Sequence, residues 1–526
     1  MSGLPPLVQD LLRPEAYPHH PQRVELAQTQ MSFVFLTGEL AYKVKKPVDL
    51  GYLNYTTLEK RHHFCQQEVA LNRRLAPQAY LGVVGIVQEK GHHFVEREGE
   101  AVEYAVKMRQ LPRERMLDYL LRAGQATPSM LERVGEIVAR FHRQAATSPQ
   151  ISTFGSMEAI TTNAEENFSQ TRERVGHTIP RERYDAIVDY TRSFLKQRTG
   201  LFQRRVAGGR IRDCHGDLHA AHICLEDGIP IYDCIEFSDR FRYSDVASEV
   251  AFLAMDLDRY GRPDLARAFV SAYLRVSGDG EMAELLPFYL CYRAYVRGKV
   301  EGFKLADPHI PTPEKAAARS AARHYLDLSY LYTRGGLRPL LLITVGLVGP
   351  GKTALAQALG ERLGMAVFSS DPVRKELAEM PVGEHRFEPP GQGIYSADFN
   401  RRTYDELFRR AGEVLARGGW AIMDASFRRQ GERDRAGELA RRYGATFGII
   451  EATCPEATIR QRLEHRLGEN TPSDGRWEIY LDQKRDFDPV AAAPPTHHLA
   501  IDTSPPVAEV CQQAALAVVD WAAAGP

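Results

Sequence analysis

No apolar run in this 526-residue chain approaches the ~20 residues needed to cross a bilayer, so no membrane span is expected. The opening segment MSGLPPLVQDLLRPEAY lacks both a basic start and a continuous apolar stretch, which argues against a secretory leader. Neither sign of charge is in excess. A formal net charge of −1 gives no global attraction to nucleic acid or an anionic membrane, although local basic clusters can still hold phosphate. CxxC spacing is missing among the seven cysteines Cys65, Cys214, Cys224, Cys234, Cys291, Cys454 and Cys511. A disulfide framework is therefore not expected, and a reducing cytoplasm fits best. Cys214, Cys224 and Cys234 recur every ten residues, which reads as small hydrophobes on neighbouring strands rather than a metal site. Internal repeats and low-complexity tracts are absent too.

What is present is the composition of an ordinary globular protein, 44% hydrophobic and 26% charged. Its length exceeds one core and predicts two or three domains. The clearest seam is Thr333-Arg334-Gly335-Gly336-Leu337-Arg338-Pro339, where glycine eases turning, proline stops a helix and the arginines keep the segment wet. The reading is a domain over 1–334, a linker over 335–339 and a second domain over 340–526. Upstream, Ser32–Leu36 and Leu40–Lys46 form a hairpin around Thr37-Gly38-Glu39. Tyr55–Leu75 reads as a helix, and Val83–Gln88 and Val102–Met108 as strands. Arg113 to Ala207 is mostly helical, a strand–loop–strand unit runs from Ile211 to Phe237, and helices continue to Tyr332. The expectation is an α+β bilobal domain, a small sheet lobe followed by a large helical one. Downstream of the seam strands and helices alternate, which predicts a parallel α/β sheet.

The strongest chemical signal opens that second domain. Leu340-Leu341-Leu342-Ile343-Thr344-Val345 is continuously apolar apart from one threonine, as a strand buried on both faces should be. It runs into Gly346-Leu347-Val348-Gly349-Pro350-Gly351-Lys352-Thr353, then into the helix formers beginning at Ala354. This is GxxxxGK[ST] in its required strand–loop–helix setting. Glycines let backbone N–H groups converge on a polyphosphate, and the helix N-terminus adds partial positive charge. Lys352 reaches the β- and γ-phosphates of ATP, and the Thr353 hydroxyl is a ligand for Mg²⁺. Gly346, Gly349, Pro350, Gly351 and Ala354 complete the nucleotide cradle.

Other strands deliver polar residues to the same edge, where open α/β sheets bind ligands. Met365–Ser370 ends at Asp371, a candidate base for a substrate hydroxyl, with Arg374 nearby to steer an anionic substrate. Trp420–Met423 ends at Asp424, a carboxylate placed to hold Mg²⁺ through water. Either aspartate could instead cap a helix. On the helix Glu456–Leu467, Arg462 and Arg466 are four apart; they either close over the phosphates or form a solvated basic face. Together GLVGPGKT, SSDPVRKEL and IMDASF resemble the small P-loop kinases related to polynucleotide kinase and zeta-toxin-type kinases, over about Leu340 to Trp521. That resemblance implies that Asp371 is a general base and that Arg374 contacts substrate. The acceptor is unnamed, with Tyr395–Tyr404 and Thr471–Tyr480 carrying polar residues suited to hold one.

In the first domain, Arg212-Asp213-Cys214-His215-Gly216-Asp217-Leu218-His219-Ala220-Ala221-His222-Ile223 resembles the catalytic loop HGDxxxxN of the aminoglycoside and choline phosphotransferase family, which has the protein-kinase-like bilobal fold. The resemblance implies that Asp217 orients and deprotonates an acceptor hydroxyl, that His215 supports the loop, and that Asp233 binds metal. Asp245 would then be a structural aspartate starting a helix. His222 departs from the pattern by standing where that family has a metal-binding asparagine; imidazole suits softer metals than Mg²⁺. Lys43 and Lys45 share one face of a strand because side chains alternate. One of them, with Lys43 favoured, would pair with the ATP phosphates and with Glu68; as edge-strand charges they would need no such role. Val106 to Pro112, centred on Met108, would be the hinge that offers backbone groups to adenine.

Both halves together resemble bacterial proteins joining an aminoglycoside-phosphotransferase-like domain to a P-loop kinase domain. The leading expectation is a tandem kinase using ATP and Mg²⁺ on hydroxyl acceptors, with a nucleic-acid end possible but not favoured. In one alternative only the P-loop domain transfers phosphate and the first domain is a regulatory or substrate-binding pseudokinase. In the other the chain is an ATP-gated switch without an acceptor.

Overall fold

The computed structural model describes residues 4–307, 310–381, 392–466, 476–490 and 497–525. The chain divides into two compact units. One comprises Met1–Glu165, Phe194–Asp256 and Arg267–Tyr289, and the other Glu166–Ser193, Leu257–Ala266 and Leu290–Pro526.

The first unit contains an antiparallel sheet of β1 (Glu25–Gln28), β2 (Ser32–Leu36), β3 (Leu40–Lys45), β4 (Tyr80–Glu89), β5 (His92–Val95) and β6 (Ala101–Arg109), in the order β1-β2-β3-β6-β4-β5. The turn between β2 and β3 closes on Thr37 N–H to Leu40 O, with Gly38 at φ 97°. Within β3, Tyr42 and Val44 pack against Phe35, Ile86 and Val95. Strand alternation therefore sends Lys43 and Lys45 to the opposite face. The expected long helix spans Leu58–Asn72 and starts where the Thr57 hydroxyl accepts from Lys60 N–H, a cap worth about 1 kcal/mol.

A two-stranded ribbon follows, β7 (Ile211–Asp213) with β8 (Tyr243–Asp245). Of the expected strand–loop–strand unit over Ile211–Phe237, β7 is the one regular strand among the described residues. The segment after β7 carries two isolated bridges, Cys224 with Met116 and Ile223 with Ile231, the latter held by Cys224 N–H to Pro230 O and Tyr232 N–H to His222 O. Pro230 has no N–H to extend the ladder. Asp245 ends β8, and the helix Val246–Arg259 begins at the next residue, where the Asp245 carboxylate accepts from Ala247 N–H. Its oxygens also take Arg205 Nη2 at 2.7 Å and Nε at 3.0 Å, so Asp245 is a buried structural carboxylate.

The second unit is built on a parallel sheet of β9 (Leu340–Val345), β10 (Ala366–Ser369), β11 (Trp420–Asp424), β12 (Thr446–Thr453) and β13 (His497–Asp502), in the order β10-β11-β9-β12-β13. Every residue of the central β9 is buried. Leu340 and Leu342 face Leu355, Leu359, Val518 and Val519, whereas Leu341, Ile343 and Val345 face Leu407, Ala411 and Ala436. Helices cover both faces, so alternation of polarity is lost, and each such side chain contributes about 1.5–3 kcal/mol. Buried Asp327, on the helix Thr312–Thr333, accepts from Arg183 Nη1 at 2.8 Å and Arg362 Nη2 at 2.6 Å. The Nε and Nη1 atoms of Arg362 have no hydrogen-bond partner among the described residues. Among the described residues no helix is long and apolar enough to cross a membrane.

Candidate active sites

In the first unit, β3, the helix Leu58–Asn72 and the loop after β7 deliver charged groups to one place. Lys43 Nζ lies 2.8 Å from Glu68 Oε1 and 2.6 Å from Asp233 Oδ1. Lys45 Nζ lies 2.7 Å from Glu68 Oε2 and also pairs with Glu236, which accepts from Tyr55 OH at 2.6 Å. The two lysines differ in exposure: the Lys43 side chain is 14% exposed and that of Lys45 1%. Burial works against the Lys43 ammonium, but Asp233 and Glu68 outweigh it and hold its pKa well above the ordinary lysine value. Burial likewise opposes the Glu68 carboxylate, and Lys43 and Lys45 reverse the effect, leaving Glu68 below its ordinary pKa.

The loop itself is pinned from beneath. Glu249 accepts from His215 N–H at 3.0 Å, Gly216 N–H at 2.6 Å and His142 Nε2 at 2.7 Å. His215 reaches Tyr232 O through Nε2 at 2.9 Å. These contacts present Asp217 beside His219 Nε2 (3.5 Å) and His222 Nδ1 (3.6 Å). His222 Nδ1 also lies 3.0 Å from the Asp217 backbone oxygen, and its Nε2 is 3.5 Å from Asp233 Oδ2. Burial, and after it the neighbouring His219, push the His222 pKa down to about 4, so the ring is neutral at neutral pH. Met108 is half-buried near the end of β6, where its backbone is in register with Ala41 and Tyr80.

In the second unit the glycine loop follows β9. Gly346 (φ 138°) donates to Ser426 O, and a Cβ there would sit 2.7 Å from Ala452 O. Gly349 (φ 102°) passes so close to the helix Glu456–Arg466 that a Cβ would meet Ile459 Cγ2 at 2.6 Å. Lys352 and Thr353 open the helix Lys352–Leu363, and Lys352 Nζ donates to Leu347 O at 2.5 Å. Register sets Thr344 of β9 beside Asp424 of β11 and Ser369 of β10 on its other side. Asp424 is buried and accepts from Thr344 Oγ1 at 2.8 Å, while the buried Ser369 hydroxyl finds no partner among the described residues. Thr353, Asp424 and Ser369 offer only oxygens, a donor set that suits Mg²⁺.

The expected strand Met365–Ser370 is Ala366–Ser369, and Asp371 lies in the first turn of the helix Ser370–Leu377, two residues past the strand end. Arg374 is turned inward: it is buried, donates through Nη1 to Ile394 O (2.8 Å) and Asn400 Oδ1 (2.6 Å), and lies over the Tyr395 ring. Arg462 donates from Nη1 to Pro350 O at 2.9 Å and from Nη2 to Thr503 O at 2.7 Å. Arg466 ends the same helix, and its side chain lies outside the described residues, as do residues 471–475 of the expected acceptor region. Pro350, Gly351, Ala354, Arg462, Thr503 and Pro505 line a cleft of about 390 Å³. Pro350, Gly351, Ala354 and Arg462 in that lining were legible in the sequence, whereas Thr503 and Pro505, Glu249 with His142, and His219 were not; the sequence signal for Glu249 was a glutamate in the apolar helix around Val250.

Residues 60–286 match the Phosphotransferase enzyme family, and residues 341–490 match an AAA domain. Both halves thus belong to kinase or phosphotransferase families, and the chain is an enzyme of the kinase class. It belongs to the family of an uncharacterized protein of Mycobacterium tuberculosis, to which it is 34% identical over 465 residues, 87% of this chain and 88% of that one. A shikimate kinase of Ruegeria pomeroyi is 29% identical over 136 residues, 24% of this chain and 69% of that protein. The solved structure of a choline/ethanolamine kinase family protein from Mesorhizobium loti is 13% identical, with a TM-score of 0.36 over 62% of this chain and 99% of that one.

Proposed function

We propose that the chain is a tandem kinase, each half transferring the γ-phosphoryl group of ATP to a hydroxyl acceptor. The observation that carries the reading is the convergence of Lys43, Glu68, Asp233 and Asp217 in one unit, with a complete glycine cradle in the other. In the first, Lys43 holds the phosphates, Glu68 fixes Lys43, Asp217 accepts the acceptor's proton, Asp233 and His222 bind metal, and the Met108 backbone faces adenine. Buried Lys45 pairs with Glu236 and is structural.

In the second, Lys352 and Arg462 meet the phosphates, the base enters the cleft beside Pro505, and Asp371 is the general base. Thr353 and Asp424 would hold Mg²⁺, whose charge offsets that of the polyphosphate. Arg466 would add a second cation from the same helix. We assign Arg374 to ordering the acceptor-side segment Ile394–Asn400. The likeness to a shikimate kinase supports a small hydroxyl acceptor over a nucleic-acid end. All seven cysteines are free thiols, which supports a cytoplasmic setting.

The test is transfer from γ-labelled ATP to a pooled panel of sugars, hydroxy acids, amino alcohols, nucleosides and oligonucleotide ends by wild type, Asp217→Ala and Lys352→Ala. Each variant should lose a different product. Unaltered products from Asp217→Ala would make the first unit a pseudokinase, and no labelled product from any enzyme would leave an ATP-gated switch.

A further inference from the structure

The two metal positions in the chain differ in chemical hardness. Thr353 and Asp424 in the second unit offer oxygens alone. In the first unit an imidazole nitrogen stands opposite the carboxylate: His222 Nε2 is 3.5 Å from Asp233 Oδ2. Mg²⁺ demands oxygen donors in a near-ideal octahedron and gives up its waters reluctantly, so this pair does not fit it. We propose that the first unit takes a first-row transition cation of the Mn²⁺ class in preference to Mg²⁺, with His222 Nε2 and Asp233 Oδ2 as its protein ligands. The inference rests on the reading of Asp233 as part of a phosphoryl-transfer centre, and deepens it by assigning the cation.

Four features of the local geometry support it. The backbone oxygen of Asp217 can only accept a hydrogen bond, so at 3.0 Å it draws the imidazole proton to Nδ1 and leaves the Nε2 lone pair facing Asp233. Metal-ligating histidines are oriented in this way, by a hydrogen bond on the nitrogen that does not bind. Asp233 is oriented too, because Lys43 Nζ takes its Oδ1 at 2.6 Å and leaves Oδ2 toward the imidazole. Two adjacent ligands at ~2.1 Å from one octahedral ion stand about 3 Å apart, so the observed pair has only ~0.5 Å to close. Finally, the His219 ring lies against His222 at 3.9 Å between centroids and limits its rotation. Asp217, His219 and His222 also bring one ligand atom each within 4.8 Å of one another, so the surroundings hold a second imidazole beside the Asp217 carboxylate. Affinity of such a site rises from Mn²⁺ through Co²⁺, and the imidazole nitrogen favours these ions over Mg²⁺, which prefers oxygen donors.

The experiment titrates full-length protein with Co²⁺, whose visible absorption reports nitrogen coordination, and with Mn²⁺, followed by loss of the free-ion paramagnetic resonance signal. Wild type, Thr353→Ala/Asp424→Asn and His222→Asn are compared, the asparagine offering an amide oxygen of similar reach. Expected is a Co²⁺ band that survives the second-unit substitutions and is lost in His222→Asn, with Mn²⁺ affinity at that site falling at least ~10-fold. A wild-type Co²⁺ band that Mg²⁺ displaces at equal concentration, or undiminished Co²⁺ and Mn²⁺ binding by His222→Asn, overturns the inference. The competition in wild type decides the matter even if His222→Asn does not fold. Failure of the underlying reading looks different: Asp217→Ala would lose no product while the Co²⁺ band, and with it the proposed metal site, stands.

Discussion

Replacing Glu249 by glutamine tests how the loop carrying Asp217 is held in place. Glu249 is 1% exposed. Its Oε2 serves His142 Nε2 (2.7 Å) and His215 N–H (3.0 Å), and its Oε1 serves Gly216 N–H (2.6 Å). A hydrogen bond to a charged group contributes about 1.5–3 kcal/mol. Glutamine keeps one acceptor oxygen and turns the other into a donor. In its better orientation the two Oε2 contacts survive, while the amide nitrogen confronts Gly216 N–H and leaves a buried donor unpaired. One lost bond plus that penalty costs about 2–4 kcal/mol.

Titration gives a second route to the same figure. Burial alone would raise the Glu249 pKa, but the hydrogen bond from His142 and the nearby His142 and His215 rings outweigh it and hold the carboxyl at about 2 against an ordinary 4.5. A carboxyl so lowered contributes about 3 kcal/mol at neutral pH. Because the folded value is depressed, that contribution is present above pH 4.5 and drains away as pH falls toward 2. Urea unfolding of wild type and Glu249→Gln, followed by circular dichroism at pH 7, 5 and 3, should show a gap that narrows at the lowest pH. A gap under about 1 kcal/mol at pH 7, or one that is constant down to pH 3, would refute the reasoning.

Glu68→Ala leaves Lys43 and Lys45 with one carboxylate each, so a stability loss of about 3 kcal/mol is expected in urea unfolding, together with a higher KM for ATP in the first-unit reaction. Gly349→Ala forces a side chain into φ 102° and against Ile459, which should cost about 1–3 kcal/mol and weaken binding of a fluorescent ATP analogue. Asp327→Asn strips the charge from a carboxylate serving two buried arginines, and should lower stability by about 3–5 kcal/mol in the same unfolding assay.

Where burial alone dictates residue type, the sequence was readable. The apolar run of β9 announced a strand covered on both faces, and alternation in β3 set Lys43 and Lys45 on one side. Which lysine stands nearer solvent was not readable, because it depends on Asp233 and Glu236 arriving from almost two hundred residues away. The edge strand β1 (ELAQ) is short and polar, with no apolar face to betray it. Before β5, Lys90 and Gly91 both adopt positive φ, and of the two only the glycine marks the turn in the sequence. Glu249 escaped because a carboxylate inside an apolar helix has meaning only once its three donors are in place. The contacts of Arg374 to Ile394 and Asn400 were not readable, because they depend on a segment about twenty residues further along the chain.

The charge cluster at Asp327 bears on how the phosphate loop can be inherited. The glycine- and proline-rich stretch around Gly335 invites a cut, and a fragment starting at Leu340 would keep the whole parallel sheet. It would also carry Arg362 away from Asp327, exposing a guanidinium shaped for a buried carboxylate and baring the helix faces that pack against Leu331. Recombination that moved this loop to another protein would have to bring the helix Thr312–Thr333 with it or rebuild the surface it left behind.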